Sequence, residues 1–252
     1  MEKLTQEQIT KVKGMGFLRN RGTNNFSGRV VPEGAVFSAR DLRTLSELAE
    51  KFGSGKVGFT SRLCAEVIGI PFEKIDEAVA YAAERGLFFG GTGAKIRPVT
   101  ACKGTTCVYG CFDTQALAAR IHREFYLGWR GVALPHKFKI GVGGCPNSCM
   151  KPSLNDFGIE GRRGGEYRIY VGGTWGKTTR MGTALSRLVR EEEVLPLLEK
   201  TILWFKENAY AKERLGAAID RIGAQALEEA LFSDDLLLRK EEILAAPIRT
   251  RE

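Results

Sequence analysis

The chain has 252 residues, 43% of them apolar and 27% charged, which supports a packed core and excludes a disordered or collagen-like chain despite the 30 glycines. Its formal charge of +8 needs an anionic partner or cofactor to explain it. The basic residues form no tail and no long helical stripe, and composition alone leaves nucleic acid and a buried anionic cofactor open; with no recognition helix or stacking platform, a nucleic-acid partner is not expected.

The first segment predicts a short helix around Leu4 to Val12, followed by a stretch rich in Gly, Asn and Arg. The first strong helix is SARDLRTLSELAEKFG, with Ser38 and Asp41 as a capping box and Leu42, Leu45, Leu48, Ala49 and Phe52 as its apolar face. KVGFTS at 56–61 reads as a strand, and Pro71 opens a second helix that closes near Gly86. AKIRPVTA reads as a strand entering CKGTTCVYGC, after which Asp113 caps the helix TQALAARIHREFYLG. KFKIGVGG, DFGIEG and EYRIYVGG are three further strands. The chain from Leu185 to Leu238 is expected to be helical, with Val194, Leu197, Leu198, Ile202 and Phe205 buried.

No apolar run approaches the roughly 18 residues that cross a bilayer. No apolar signal segment follows Met1-Glu2-Lys3-Leu4-Thr5, so a cytoplasmic location is expected. Cysteines in such a chain read as metal ligands or reduced thiols, not as a disulfide framework. Five of the six, Cys102, Cys107, Cys111, Cys145 and Cys149, fall between positions 102 and 149. Four thiolates from two loops suit a 4Fe–4S cluster, and the same spacing also suits structural zinc. Cys64, outside this group, reads as a small buried hydrophobe.

Lys137 and Lys139 alternate with Phe138 and Ile140, which puts both lysines on one face of a strand. His122 lies among charged neighbours and reads as a surface residue, and His136, before the strand KFKIGV, reads either as facing a ligand or as a plain loop residue. GGTWGKTTR is not a phosphate loop, because Val171 stands where the first glycine is required. It remains either a carboxylate or phosphate cradle or a solvated basic hairpin.

CPNSC, preceded by KFKIGVGG and followed by KPSLNDFGIEG, resembles the cofactor-binding half of the siroheme-dependent nitrite and sulfite reductases. GRVVPEGAVFSARDLRTLSELAEKFGSGKVGFTSR is similar to their substrate-side segment, and YVGGTWGKTTRMG to their tetrapyrrole-contacting turn. The resemblance implies an α+β fold of two parts. Residues 1–92 would be a ferredoxin-like half-domain, and residues 93–252 a mixed α/β unit binding siroheme and a 4Fe–4S cluster, with a helical C-terminus.

Carried over position by position, the resemblance makes Cys149 the thiolate shared by cluster and haem. Cys102, Cys107 and Cys145 become the other cluster ligands. Arg29, Arg62, Lys137 and Lys139 would surround a small oxyanion, while Lys177 and Arg180, with Thr105, Thr106 and Thr179, would hold the tetrapyrrole carboxylates. Two features depart from the family: four residues instead of five separate Cys102 from Cys107, and Cys111 is an extra thiol. The Thr-x-Arg-Gln of the family is also replaced by TSRLC. The implied activity is six-electron reduction of sulfite to sulfide, or of nitrite to ammonia. The alternative is an electron-transfer or regulatory subunit of a larger reductase. With one copy of the repeat and no flavin or nicotinamide fingerprint, the chain would need an external low-potential donor such as ferredoxin. A homodimer or sister subunits would complete the assembly.

Overall fold

The computed structural model describes residues 4–251 and divides the chain into two compact units, Met1–Gly93 and Ala94–Glu252. In the first, helix α1 (Gln6–Met15) precedes β1 (Phe17–Arg19) and β2 (Asn25–Val30). Helix α2 (Ala39–Phe52), β3 (Val57–Phe59), β4 (Ala65–Pro71) and α3 (Ile75–Ala83) follow. The strands form an antiparallel sheet in the order β1-β2-β4-β3.

The α2 capping box forms as its sequence requires: the Asp41 amide donates to Ser38 Oγ at 3.1 Å and the Ser38 amide to Asp41 Oδ2 at 2.8 Å. Leu45, Leu48, Ala49 and Phe52 are buried at helical spacing, each worth roughly 1.5–3 kcal/mol if large and fully enclosed. Leu42 was expected on that face and is instead exposed, one turn-edge too far round the helix. Pro71 does not open a helix. It ends β4, and a 3-10 turn at Phe72–Lys74 leads into α3. The Asn- and Gly-rich stretch, left without an element by the sequence, supplies β1 and β2. Gly28 is needed there because a Cβ would stand 2.7 Å from the Phe17 ring and 2.6 Å from the Phe89 ring.

The second unit is built on a sheet of order β10-β8-β7-β6-β5. Its strands are β5 (Thr100–Ala101), β6 (Ile140–Gly143), β7 (Phe157–Arg162), β8 (Glu166–Val171), β9 (Thr183–Ala184) and β10 (Val189–Arg190), with β9 paired to β8. β5, β6 and β7 run parallel, and β8 returns antiparallel to β7. Between β5 and β6 lies helix α4 (Thr114–Ile121), capped by Asp113 Oδ1 on the amides of Gln115 (3.1 Å) and Ala116 (3.0 Å). It runs on as a π-helical turn, His122–Leu127. His122 is a correction: it is buried, 4.9 Å from the Tyr126 ring, because the wider π turn rotates it inward.

The C-terminal part is helical as expected, but only from Glu191. Residues 185–190 lie in and around β10, paired edge to edge with β8. Helices α5 (Glu191–Asn208), α6 (Leu215–Ile222), α7 (Ala224–Phe232), α8 (Asp235–Leu238) and α9 (Lys240–Ala245) complete the unit. Val194, Leu197, Leu198, Ile202 and Phe205 of α5 are all buried, and α5 packs on β8 and β10. No helix among the described residues is long and apolar enough to cross a membrane.

Candidate iron–sulfur site

Parallel strands deliver their following loops to one edge of a sheet, and that rule assembles this site. Cys102 is the first residue after β5, Cys145 the second after β6, and Arg162 the last of β7. The two cysteine loops therefore leave the sheet side by side at its carboxyl edge.

Gly144 ties the loops together. Its amide donates to Cys102 Sγ at 3.2 Å, and its carbonyl accepts from the Cys111 amide at 2.9 Å. A Cβ at 144 would stand 3.1 Å from Cys102 Sγ and 3.2 Å from Thr114 Cγ2. Thr114 is fully buried and donates to the Cys102 carbonyl at 2.6 Å. The first loop is wound tightly, since a Cβ on Gly110 would fall 2.2 Å from the Gly104 carbonyl oxygen. In the second loop Ser148 and Lys151 hold left-handed backbone at φ of 55° and 46°, a strain that non-glycine residues carry mostly at functional turns.

A cavity of about 650 Å³ opens between the loops, lined among others by Tyr109, Cys111, Cys145, Asn147, Arg162 and Arg163. Arg162 pairs with buried Glu160 at 2.5 Å, yet its Nε is buried without a hydrogen-bond partner. Soft thiolate donors, an N–H aimed at sulfur and an under-satisfied guanidinium fit an anionic iron–sulfur cluster. The thiols themselves do not converge: among the described residues no three His, Cys, Asp or Glu side chains are grouped to hold a metal ion. Cys107 is half-buried and Cys149 exposed, and neither lines the cavity that Cys111 and Cys145 share.

The other residues singled out in the sequence lie elsewhere. Lys137 and Lys139 precede β6 and so sit at the amino edge of the sheet, half-buried, while Phe138 and Ile140 between and after them are fully buried. Beside them Asp156, fully buried, accepts from Arg214 Nη2 at 2.8 and 2.9 Å and from the Lys139 amide at 2.8 Å. Burial, then Arg214 and Arg97, hold the Lys137 ammonium below its ordinary pKa. His136 is lowered in the same way, by burial first and then by Arg214, Lys137 and Arg97. The loop after β8 also returns to this edge, with the Gly172 amide donating to the Asp156 carbonyl at 2.8 Å.

In that loop Lys177 and Thr179 are exposed, but the Arg180 fork is occupied. It donates to Asp220 at 2.7–3.1 Å and to the carbonyls of Gly172 and Met181. Thr105 and Thr106 are exposed on the first cysteine loop, and the Thr106 hydroxyl donates to the Lys103 carbonyl at 2.7 Å. Arg29 and Arg62 belong to the first unit. Arg29 on β2 is paired to Glu66 on β4 at 2.7 Å and donates to the Gly91 carbonyl. Cys64 is buried there as expected. Burial, opposed by Arg29, Arg62 and Thr60, pushes its thiol up to about 11.

Sequence reasoning missed Gly144, Asp156, Arg162, Arg163 and Arg214. GRRGG between two predicted strands was a usable signal for Arg162 at the end of β7 and Arg163 in the turn after it. The Asp156–Arg214 pair spans 58 positions and has no local signal.

Both cysteine loops leave the carboxyl edge of one α/β sheet, and the segment carrying Lys137 and Lys139 enters its amino edge. The family described as "Nitrite and sulphite reductase 4Fe-4S domain" matches residues 92–237, and the "Nitrite/Sulfite reductase ferredoxin-like half domain" matches residues 19–85. The chain belongs to this nitrite/sulfite reductase family.

It is 29% identical over 212 residues to "Nitrite reductase [NAD(P)H]" of Bacillus subtilis (strain 168), covering 80% of this chain and 25% of that protein. It is 33% identical to "Coenzyme F420-dependent sulfite reductase" of Methanocaldococcus jannaschii, covering 57% of this chain and 22% of that one. The fold matches the structure of Mycobacterium tuberculosis NirA protein with a TM-score of 0.78 at 19% identity, over 99% of this chain and 49% of that one, and dissimilatory sulfite reductase I (DsrI) with a TM-score of 0.74 at 17% identity, over 90% of this chain and 72% of that one. The chain spans about a quarter of the length of the curated relatives it matches first.

Proposed function

We propose that the chain reduces a small oxyanion, with sulfite favoured over nitrite, using a 4Fe–4S cluster and a siroheme. The observation that carries this reading is the joining of both cysteine loops through Gly144, whose amide is spent on a cysteine sulfur. In the proposal Cys102, Cys107, Cys145 and Cys149 hold the cluster, with Cys149 as the shared thiolate. Cys111, which lines the same cavity as Cys145, is the competing thiol. When bound, the cluster and haem iron supply single-electron transfers and an open coordination position.

The chain's own residues would do the rest. Arg162 sets positive charge beside the cluster, and the Gly144 amide stabilises thiolate at Cys102. Lys137 and Lys139, with Arg62 and Arg29, would bind the anion's oxygens. Lysine delivers protons, because arginine stays protonated. A Lys137 ammonium held below its ordinary pKa releases its proton more readily. Lys177, Thr179, Thr105 and Thr106 would receive siroheme carboxylates. Arg180 would position their loop through Asp220. An external low-potential donor such as ferredoxin would supply electrons, and a second copy or sister subunits would complete the assembly.

A second reading, an electron-transfer or regulatory subunit, is favoured by one observation: Arg29, a proposed anion ligand, is already paired with Glu66. Anaerobic purification from cells that make siroheme, followed by spectra with and without sulfite and nitrite, separates the two. Haem bands that shift with sulfite support the reductase, whereas iron–sulfur absorption without haem bands supports the subunit. Iron content of Cys107→Ser against Cys111→Ser assigns the fourth ligand.

A further inference from the structure

The helical part of the second unit carries a cavity that neither the cysteine loops nor the lysine strand uses. It measures about 490 Å³ and is lined by Tyr210, Arg221, Arg249, Thr250 and Arg251. Three guanidinium groups gather on the Tyr210 ring, with Arg221 at 4.6 Å, Arg249 at 5.3 Å and Arg251 at 5.4 Å from its centroid. The ring quadrupole attracts each cation, but the cations repel one another and need negative charge nearby.

Glu213 supplies one such charge. It accepts from Arg221 at 3.1 and 2.9 Å, from Arg251 at 3.3 Å, and from the Tyr210 amide at 2.9 Å. Among the described residues Arg249 has no carboxylate partner, so among them the three arginines and Glu213 leave two positive charges in excess at the cavity. The frame around it is fixed by backbone bonds: the Ala211 amide donates to the Arg249 carbonyl at 2.7 Å, and the Lys212 amide to the Pro135 carbonyl at 2.9 Å. Lys212 itself holds a left-handed φ of 69°, the kind of strain that persists where the surroundings enforce it.

We propose that this cavity binds a small molecule carrying two or more negative charges on phosphate or carboxylate oxygens. Guanidinium forks match both groups in two-point fashion, and two-fold excess charge calls for at least a dianion. The volume falls within the usual range for small-molecule sites. With arginines forming most of the wall, binding is electrostatic and weakens with salt. The proposal is independent of the reductase reading.

Calorimetric titration of the full chain with pyrophosphate and with citrate, at ionic strength matched by sodium chloride, tests it. The expected result is saturable one-site binding that Arg249→Gln weakens by roughly tenfold or more. The Arg249 side chain stands over the Tyr210 ring and among the described residues pairs with no carboxylate, so this variant should keep its fold, as circular dichroism would verify. Arg251→Gln provides a second arm. Absence of saturable binding, wild-type affinity in both variants, or binding of an acidic peptide without either small anion would overturn the proposal.

Discussion

Asp156→Ala tests whether the lysine strand is held by a buried ion pair. The wild-type carboxylate is fully buried, with three donated hydrogen bonds: two from Arg214 at 2.8 and 2.9 Å and one from the Lys139 amide at 2.8 Å. Burial pushes this carboxyl upward, and Arg214 and the Lys139 amide pull it down, so the pair depends on both partners. Removing only the carboxylate strands a mostly buried guanidinium, which costs about 3–5 kcal/mol. For a chain of this size, about 2–4 °C of Tm per kcal/mol gives a fall of roughly 6–20 °C. Thermal and urea unfolding followed by circular dichroism would measure it. The double variant Asp156→Ala, Arg214→Met removes both charges and should recover about 1–3 kcal/mol of the loss. A single-variant loss below about 1 kcal/mol, or a double variant as unstable as the sum of its parts, would refute the argument.

Gly144→Ala should push Cys102 and Thr114 away from the second cysteine loop, at 3.1 and 3.2 Å from the new methyl group. Iron and acid-labile sulfide should fall by about half or more, and unchanged content would reject the role given to Gly144. At pH 8, with the chain free of metal, iodoacetamide should label exposed Cys149 first and Cys64 last, since burial pushes the Cys64 thiol up to about 11. Equal labelling rates in a mass-spectrometric time course would contradict this. Glu213 is held below its ordinary 4.5, chiefly by its Arg221 hydrogen bonds. Its stabilising contribution is complete above that value and is lost as pH falls through the lowered one. Unfolding free energy should therefore drop on acidification below 4.5, with a flatter slope in Glu213→Gln, and parallel slopes would show that Glu213 is not the source.

What the sequence made legible was local. The α2 cap and its i, i+3, i+4 core are written within a dozen residues, and so is the Asp113 cap of α4. The cysteine pairs are equally visible, because thiol spacing needs no knowledge of the fold. What stayed hidden depends on partners distant in the chain. In β2 the alternation is broken at Gly28, where the register to β4 shifts between Phe26 and Gly28. The stretch from Leu185 to Arg190 has helical composition but is claimed by the free side of β8. His122 sits among charges in sequence and among aromatic rings in space. The site residues divide in the same way: strand order, not motif spacing, puts the cysteines at one sheet edge and Lys137 and Lys139 at the other.

That division bears on how one strand could serve both ends of the proposed reduction. β6 has four residues, so at about 3.3 Å per residue its two edges lie roughly 13 Å apart. Gly141 and Gly143 share the parity of Lys137 and Lys139, and the chain returning from the second cysteine loop lies against them. A Cβ on Gly141 would meet Asn155 Nδ2 at 2.5 Å, and one on Gly143 would lie 3.4 Å from Pro152 Cγ. The segment that begins at Cys149 thus runs back over the lysine face of β6 to reach Asp156, the residue that pins Lys139. Cys149 and Asp156, the residue that anchors Lys139, are seven positions apart on one tightly packed segment. A side chain at 141 would lift that segment, so Gly141 keeps the segment that follows the second cysteine loop packed on β6 and Asp156 in reach of Lys139.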